Sequence, residues 1–329
     1  MMKKFLQILF LTVLLVSGVS YSVQAKTLKI ASTLPENITT TITTGFTKAT
    51  GLPVDITYLP QEKFVEQLNH LYKKNVDCVI GPNQDDFYLA ERANMLISYI
   101  SPQLADLPVQ TQPRKGMWTN LWVDYLGFLS NTESLHDLGL FAPEGWIDLI
   151  AKNLKDEIVL EEYEISPTIY SGIVSMWQVQ GETPALNFAH EFNKQKIKFV
   201  SSQEDAIKEV MKGKKAVTIL PLSKALTLEK QASNLYASVI MDANRCLYSG
   251  AGIMRGSKNQ EDAQKFVDYL LSEEFTNWMK DAAIPNLWHI RLHNEDARRF
   301  LIGEAKLTID DLGWTSLSKK EIIKQWKKA

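Results

Sequence analysis

Few residues in this chain are spaced for chemistry on a bond. His289 and His293 stand four apart and could share a helix face as metal ligands, but Pro285 sits just before them and no carboxylate completes a set. His190-Glu191 opens like a zinc-protease motif, yet the residue four after His190 is Lys194. Ser316-Leu-Ser-Lys319 has the spacing of a lysine-activated serine. A helix cap over Ser318–Glu321 accounts for that stretch more simply. Gly-x-Gly-x-x-Gly, the P-loop and Gly-x-Ser-x-Gly are all absent. The acid pairs Asp85-Asp86 and Glu161-Glu162 fall at turns or helix entries and read as solvated. No catalytic residue, metal site or cofactor is therefore expected.

What remains is a pattern for binding. Three strand ends run into helix starts rich in small hydroxyl or amide residues: Ser32-Thr33, Gly81-Pro82-Asn83, and Ser166-Pro-Thr168-Ile-Tyr170-Ser171. Free N–H groups and the positive end of the helix dipole suit such places to anions. Ordinary capping explains each one singly. Three together at strand ends favour a cleft between two lobes. Arg245 could grip a carboxylate or phosphate with two parallel bonds, with Tyr248 beside it. Trp118 and Trp122 could wall the cleft or belong to a core.

These residues need elements to hold them. Leu28–Ala31, Val54–Tyr58 and Val76–Ile80 read as strands, and Ile38, Ile42, Phe46 and Ala49 mark the inner face of a helix between the first two. Phe64, Leu68 and Leu71 mark another. The alternation predicts a mainly parallel sheet. A proline-bearing loop over 101–118 leads to an aromatic run, Trp118–Ser130, that suits a crossing strand. A second α/β unit follows, and Cys246–Met254 reads as a return.

Lys3 and Lys4, an apolar run from Phe5 to Val19, and Val23-Gln-Ala25 form a secretory leader, with cleavage expected after Ala25. Neither cysteine lies near that point, so no lipid anchor is expected. The run is shorter than the ~20 residues a membrane helix needs. A formal net charge of −2 gives no electrostatic pull toward nucleic acid or an anionic membrane. Cys78 and Cys246 could pair in an oxidising compartment or remain buried thiols.

Several segments, in order, resemble periplasmic solute-binding proteins of ABC importers. Phe46-Thr-Lys-Ala-Thr-Gly51-Leu-Pro-Val54 is similar to the family's F-x-x-x-T-G-I-x-V segment. Asn131–Gly145 with Trp146 resembles its N-x-x-x-L-x-x-x-G-L-x-x-P-x-x-W stretch. Ser166–Gly172 resembles its Ser-Gly-Thr loop, and Ser257–Ser272 its penultimate helical motif. The branch it resembles includes ferric-iron, thiamine, phosphosugar and aminoethylphosphonate binders. The resemblance implies an α/β fold of the two-lobed, type II-like kind with two hinge crossings. Lobe 1 would hold 26–117 and 250–329, lobe 2 131–240, and the crossings 118–130 and 241–249. It implies a monomeric periplasmic receptor that closes on a small anion, possibly phosphorylated or a phosphonate, and delivers it to a membrane permease and ATPase. A sensory subunit for a membrane kinase is the alternative; a ferric-iron carrier or a periplasmic enzyme stands behind it. The ferric branch carries a tyrosine pair where this chain has Pro221-Leu-Ser-Lys224. Hard Fe³⁺ favours anionic oxygen ligands, so iron is disfavoured.

Overall fold

A computed structural model describes residues 27–105, 107, 112–281, 288–291 and 305–329. The leader over residues 1–25 and His293 lie outside the described residues. No helix among the described residues is long and apolar enough to cross a membrane.

The first lobe grows from apolar strands with helices between them. Strands β1 (Leu28–Ser32), β2 (Val54–Tyr58) and β3 (Cys78–Asn83) pair in parallel, with β1 in the middle. Helix α1 (Glu36–Thr50) carries an unusual number of threonines. Thr41, Thr43 and Thr50 donate their hydroxyls to carbonyls four residues back, at 2.7–3.0 Å, which hides polar atoms that would otherwise oppose the helix. Gly51, at φ 74°, ends it in the left-handed conformation. Thr33 and Glu36 have the spacing of a capping box, but none forms. Pro35 is the N-cap without a side-chain bond, and Ser32 Oγ instead accepts from Leu34 N at 3.1 Å. Helix α2 (Phe64–Lys73) buries Phe64, Leu68 and Leu71 as its periodicity requires. Helix α3 (Gln84–Arg92) follows β3 directly, capped by Asn83. Then come β4 (Leu96–Ile97) and β5 (Thr119–Asp124).

The aromatic run makes two strands. β5 ends at Asp124, and β6 (Leu126–Asn131) begins one residue later in a different sheet. This is the first crossing. The second lobe contains α4 (Thr132–Asp137), β7 (Val159–Glu161), α5 (Pro167–Gln180), α6 (Glu182–Asn193), β8 (Lys198–Val200), α7 (Gln203–Met211), β9 (Val217–Pro221), α8 (Leu222–Glu229) and β10 (Leu235–Val239). The main sheet of this lobe is antiparallel: β6 lies between β9 and β10 and opposes both. β7 and β8 pair in parallel, and the Ile158–Val217 bridge joins them to β9.

Residues 240–246 lead back to β11 (Leu247–Met254), which runs antiparallel to β3, β4 and β5. Gly250 lets β11 and β5 approach: a Cβ there would stand 1.9 Å from Thr119 O. Helices α9 (Gln260–Leu271) and α10 (Glu273–Asp281) complete the first lobe. The buried carboxylate of Asp77 organises the entry to α9. It accepts from Ser257 Oγ at 2.7 Å, Asn259 Nδ2 at 3.1 Å and the backbone N–H of Lys29, Lys258 and Asn259.

The C-terminal helix departs from the expected boundaries. Helix α11 (Leu312–Lys328) begins at an Asp311 cap, seven residues before the cap expected at Ser318. It was assigned to lobe 1 with the rest of 250–329. Its Ile322, Ile323 and Trp326 instead pack into the second lobe's core with Tyr170, Phe188 and Phe192. An amphipathic pattern fixes which face is buried but not against which core. The preceding residues run beside the second crossing: Lys306 N donates to Met241 O, Asn244 N to Lys306 O and Thr308 N to Asn244 O, at 2.8–2.9 Å. The chain thus passes between the lobes three times, not twice.

Candidate functional site

A cavity of about 420 Å³ lies where both lobes meet the crossings. The first lobe contributes Gln61 and the start of α3. The second contributes the first turns of α5 and α8. Trp122, Asp124, Tyr248 and Trp288 form the hinge side.

Of the residues singled out from sequence, Asn83, Thr168, Tyr170, Ser171, Arg245 and Tyr248 line this cavity. Trp122 lines it as well, and the others are not on its wall. Ser32 is buried beneath α1, sharing a hydrogen bond with Thr39 Oγ1 at 2.7 Å. Thr33 Oγ1 packs toward Gly81, which adopts φ 98°. Pro82 belongs to β3. Ser166 caps α5, accepting from Ile169 N at 3.2 Å. Trp118 stacks on Phe87 at 5.8 Å in the first lobe's core, while Trp122 reaches the cavity.

Arg245 is the largest surprise. It is 1% exposed, and its guanidinium is engaged on two sides. Nη1 lies 2.9 Å from Asp85 Oδ2 and Nη2 donates to Asp85 Oδ1 at 3.1 Å, while Nε donates to Asp310 Oδ1 at 2.7 Å. Gln84 Nε2 donates to Asp310 Oδ2 at 2.6 Å, and Thr315 Oγ1 donates to Asp85 Oδ1 at 2.7 Å. Tyr170 O–H donates to Thr315 O at 2.5 Å. Burial alone would raise the Asp85 carboxyl; the Arg245 charge and the hydroxyls of Thr315 and Ser316 outweigh it and hold the group below its usual range. Arg245 therefore knots α3 of the first lobe, the second crossing and the segment before α11. Asp85, read as solvated, is half of that knot.

The knot stands beside a second fastening. Asn244, fully buried, donates to Leu126 O and Ile240 O and accepts from Leu126 N, at 2.8–2.9 Å. One side chain thus holds the two crossings together.

The helix tips are also engaged. At α8, Asp124 accepts from Ser223 N at 3.1 Å and Ser223 Oγ at 2.5 Å. The chain's own carboxylate occupies the anion position there. At α3, Asn83 accepts from Asp86 N, while Asp86 Oδ2 accepts from Asn83 Nδ2 at 3.0 Å and Gln61 Nε2 at 2.5 Å. Burial pushes both Asp86 and Asp124 up to about 6, against the hydrogen bonds they receive. Sequence reasoning missed both acids, Gln61, Lys224 and Lys319, because they face the cavity only once distant segments are assembled.

The remaining candidates for chemistry resolve as structure. His289 is buried, with Nε2 2.8 Å from Leu270 O, and burial lowers it to about 4. Cys78 and Cys246 are free thiols: the first lies in the β3 core and the second on the cavity wall, and burial raises both. No group of three or more His, Cys, Asp or Glu able to hold a metal occurs among the described residues.

Two α/β lobes joined by crossing strands around a lined cavity define a two-lobed binding protein. The chain belongs to the bacterial extracellular solute-binding protein family, which it matches over residues 82–316. Its fold is similar to that of the periplasmic binding protein AfuA from Actinobacillus pleuropneumoniae, solved with fructose-6-phosphate (TM-score 0.78, 20% identity, 92% of this chain and 98% of that one). It is also similar to iron-bound HitA from Pseudomonas aeruginosa (0.73, 16%, 92% and 98%). A periplasmic thiamin binding protein gives 0.75 at 15% identity, over 93% and 97%. A Haemophilus influenzae protein of no stated function is 26% identical over 157 residues, a stretch spanning 47% of this chain and 45% of that protein. The family and these neighbours are binding proteins rather than enzymes, and the family serves ABC importers.

Proposed function

We propose that the chain is an exported periplasmic receptor that captures one small organic molecule and presents it to the permease and ATPase of an importer. The observation that carries this reading is the cavity itself, about 420 Å³, lined from both lobes and both crossings. A ligand touching both walls favours the closed arrangement by its differential affinity for that state.

Iron fits these walls poorly. Where the ferric branch has tyrosines, the chain has Pro221-Leu-Ser-Lys224 at the start of α8, with Asp124 hydrogen-bonded to Ser223. Burial raises the Tyr125, Tyr170 and Tyr248 phenols, which disfavours phenolate. A wholly anionic cargo also loses support, because Arg245 and the α8 tip already face carboxylates.

The test is to purify the protein from its own periplasm, denature it, and identify what it releases by mass spectrometry. One organic metabolite in near-stoichiometric amount is expected. Ferric iron, or no molecule together with scattering curves that no periplasmic extract alters, would overturn the reading.

A further inference from the structure

We propose that the cargo carries a positively charged nitrogen, seated between the carboxylates of Asp86 and Asp124. This deepens the receptor reading and rests on it. The ground is the distribution of charge around the cavity. Its buried arginine already faces Asp85 and Asp310. Two acids on the wall accept hydrogen bonds from neutral groups alone, with the Lys319 charge acting on Asp86 from farther off. Asp86 receives hydrogen bonds from Gln61 and Asn83, both onto Oδ2. Asp124 receives them from Ser223 and the backbone of Tyr125. Neither lies within 4.0 Å of a basic side chain among the described residues.

Other charges reach the same space. Glu204 is exposed at the rim. Lys224 and Lys319 are half-buried on the second lobe, and Lys319 Nζ stands 5.2 Å from the centre of the Tyr170 ring rather than on an acid. A carboxylate in a mostly apolar wall is costly until a counter-charge arrives. A ligand cation supplies one to the α3 tip and to the hinge side at once. The aromatic faces of Trp122, Tyr248 and Trp288 add favourable surface for the same charge.

The test uses the intact protein at pH 7.5 with defined probes. Putrescine and choline serve as cations, succinate and glucose 6-phosphate as anions, each at millimolar concentration. A rise in melting temperature with a cationic probe is expected. Its calorimetric affinity should fall at least tenfold in Asp86→Asn and return in part in Asp86→Glu. Stabilisation by an anion and not by a cation would overturn the charge assignment while leaving the receptor intact. A cation response unchanged in Asp86→Asn would also overturn it. Silence from every probe would overturn both.

Discussion

Replacing Arg245 with methionine should destabilise this protein far more than it alters the cavity's shape. The side chain is 1% exposed and faces Asp85 at 2.9 Å and Asp310 at 2.7 Å. At the ~4 Å separation of charge centres in such pairs, each is worth about 4 kcal/mol at an effective dielectric of 20. Desolvating the ions offsets most of that, so the intact knot adds little net stability. Breaking it is another matter. Arg245→Met leaves two carboxylates without their counter-charge, which costs about 3–5 kcal/mol. For a chain of this size that lowers the melting temperature by about 6–15 °C. Thermal and urea unfolding at pH 7 would read it. The triple variant Arg245→Met, Asp85→Asn, Asp310→Asn removes all three charges and should recover most of the loss. The pH dependence has a definite sign. Asp85 is held below its ordinary value, so its contribution is full above the unfolded carboxylate pKa of about 4 and is lost as pH falls through the lower folded value. In the methionine variant that stabilisation is gone, so the gap between the proteins should be widest at pH 7 and narrow toward pH 3. A loss under 1 kcal/mol at pH 7, or one that does not change with pH, would refute the reasoning.

Three further outcomes follow from the same kind of argument. Asp86→Asn should raise stability at pH 7.5 by about 1–2 kcal/mol. Because burial pushes Asp86 up to about 6, the parent protein's stability from that proton is full below about pH 4 and is lost as pH rises through 6, a decline that denaturation curves should show flattened in the variant. Trp326→Ala should cost about 3–5 kcal/mol by urea unfolding, since the ring is fully buried against Phe188 in the second lobe. A helix that merely rested on the surface would lose less than 1 kcal/mol. Asp77→Ala should cost about 3 kcal/mol, because five donors then lose their acceptor, and hydrogen exchange at Lys258 and Asn259 should quicken.

Much of the architecture was legible because the apolar pattern is local. Phe64, Leu68 and Leu71 announce α2 wherever it packs, and Val217–Leu220 announces a buried strand. The tip of α5 was legible for the same reason: a serine cap, a proline in the first turn and hydroxyls after it describe a helix start within six residues. The electrostatics were not. Arg245 meets Asp85 across 160 positions and Asp310 across 65, and no spacing rule reaches that far. Reading Arg245 as free for a ligand and Asp85 as solvated were two halves of one omission. The placement of α11 failed similarly, since Ile322, Ile323 and Trp326 state only that some core must receive them. Trp118 and Trp122 show the limit at its smallest. They are four apart in one aromatic run, yet one stacks in a core and the other walls the cavity.

The residues before α11 turn an ordinary pair of hinges into a three-ply joint. The strip over 306–308 is laced to 241–244 by backbone bonds, and Asp310 ends it on the arginine at the joint's centre. A door on two pins can swing and also wring; a third ply fastened alongside leaves swinging and stiffens against wringing. The tail of this chain is therefore a mechanical part, and cutting it before residue 305 should loosen the register between the halves even where each half keeps its own sheet.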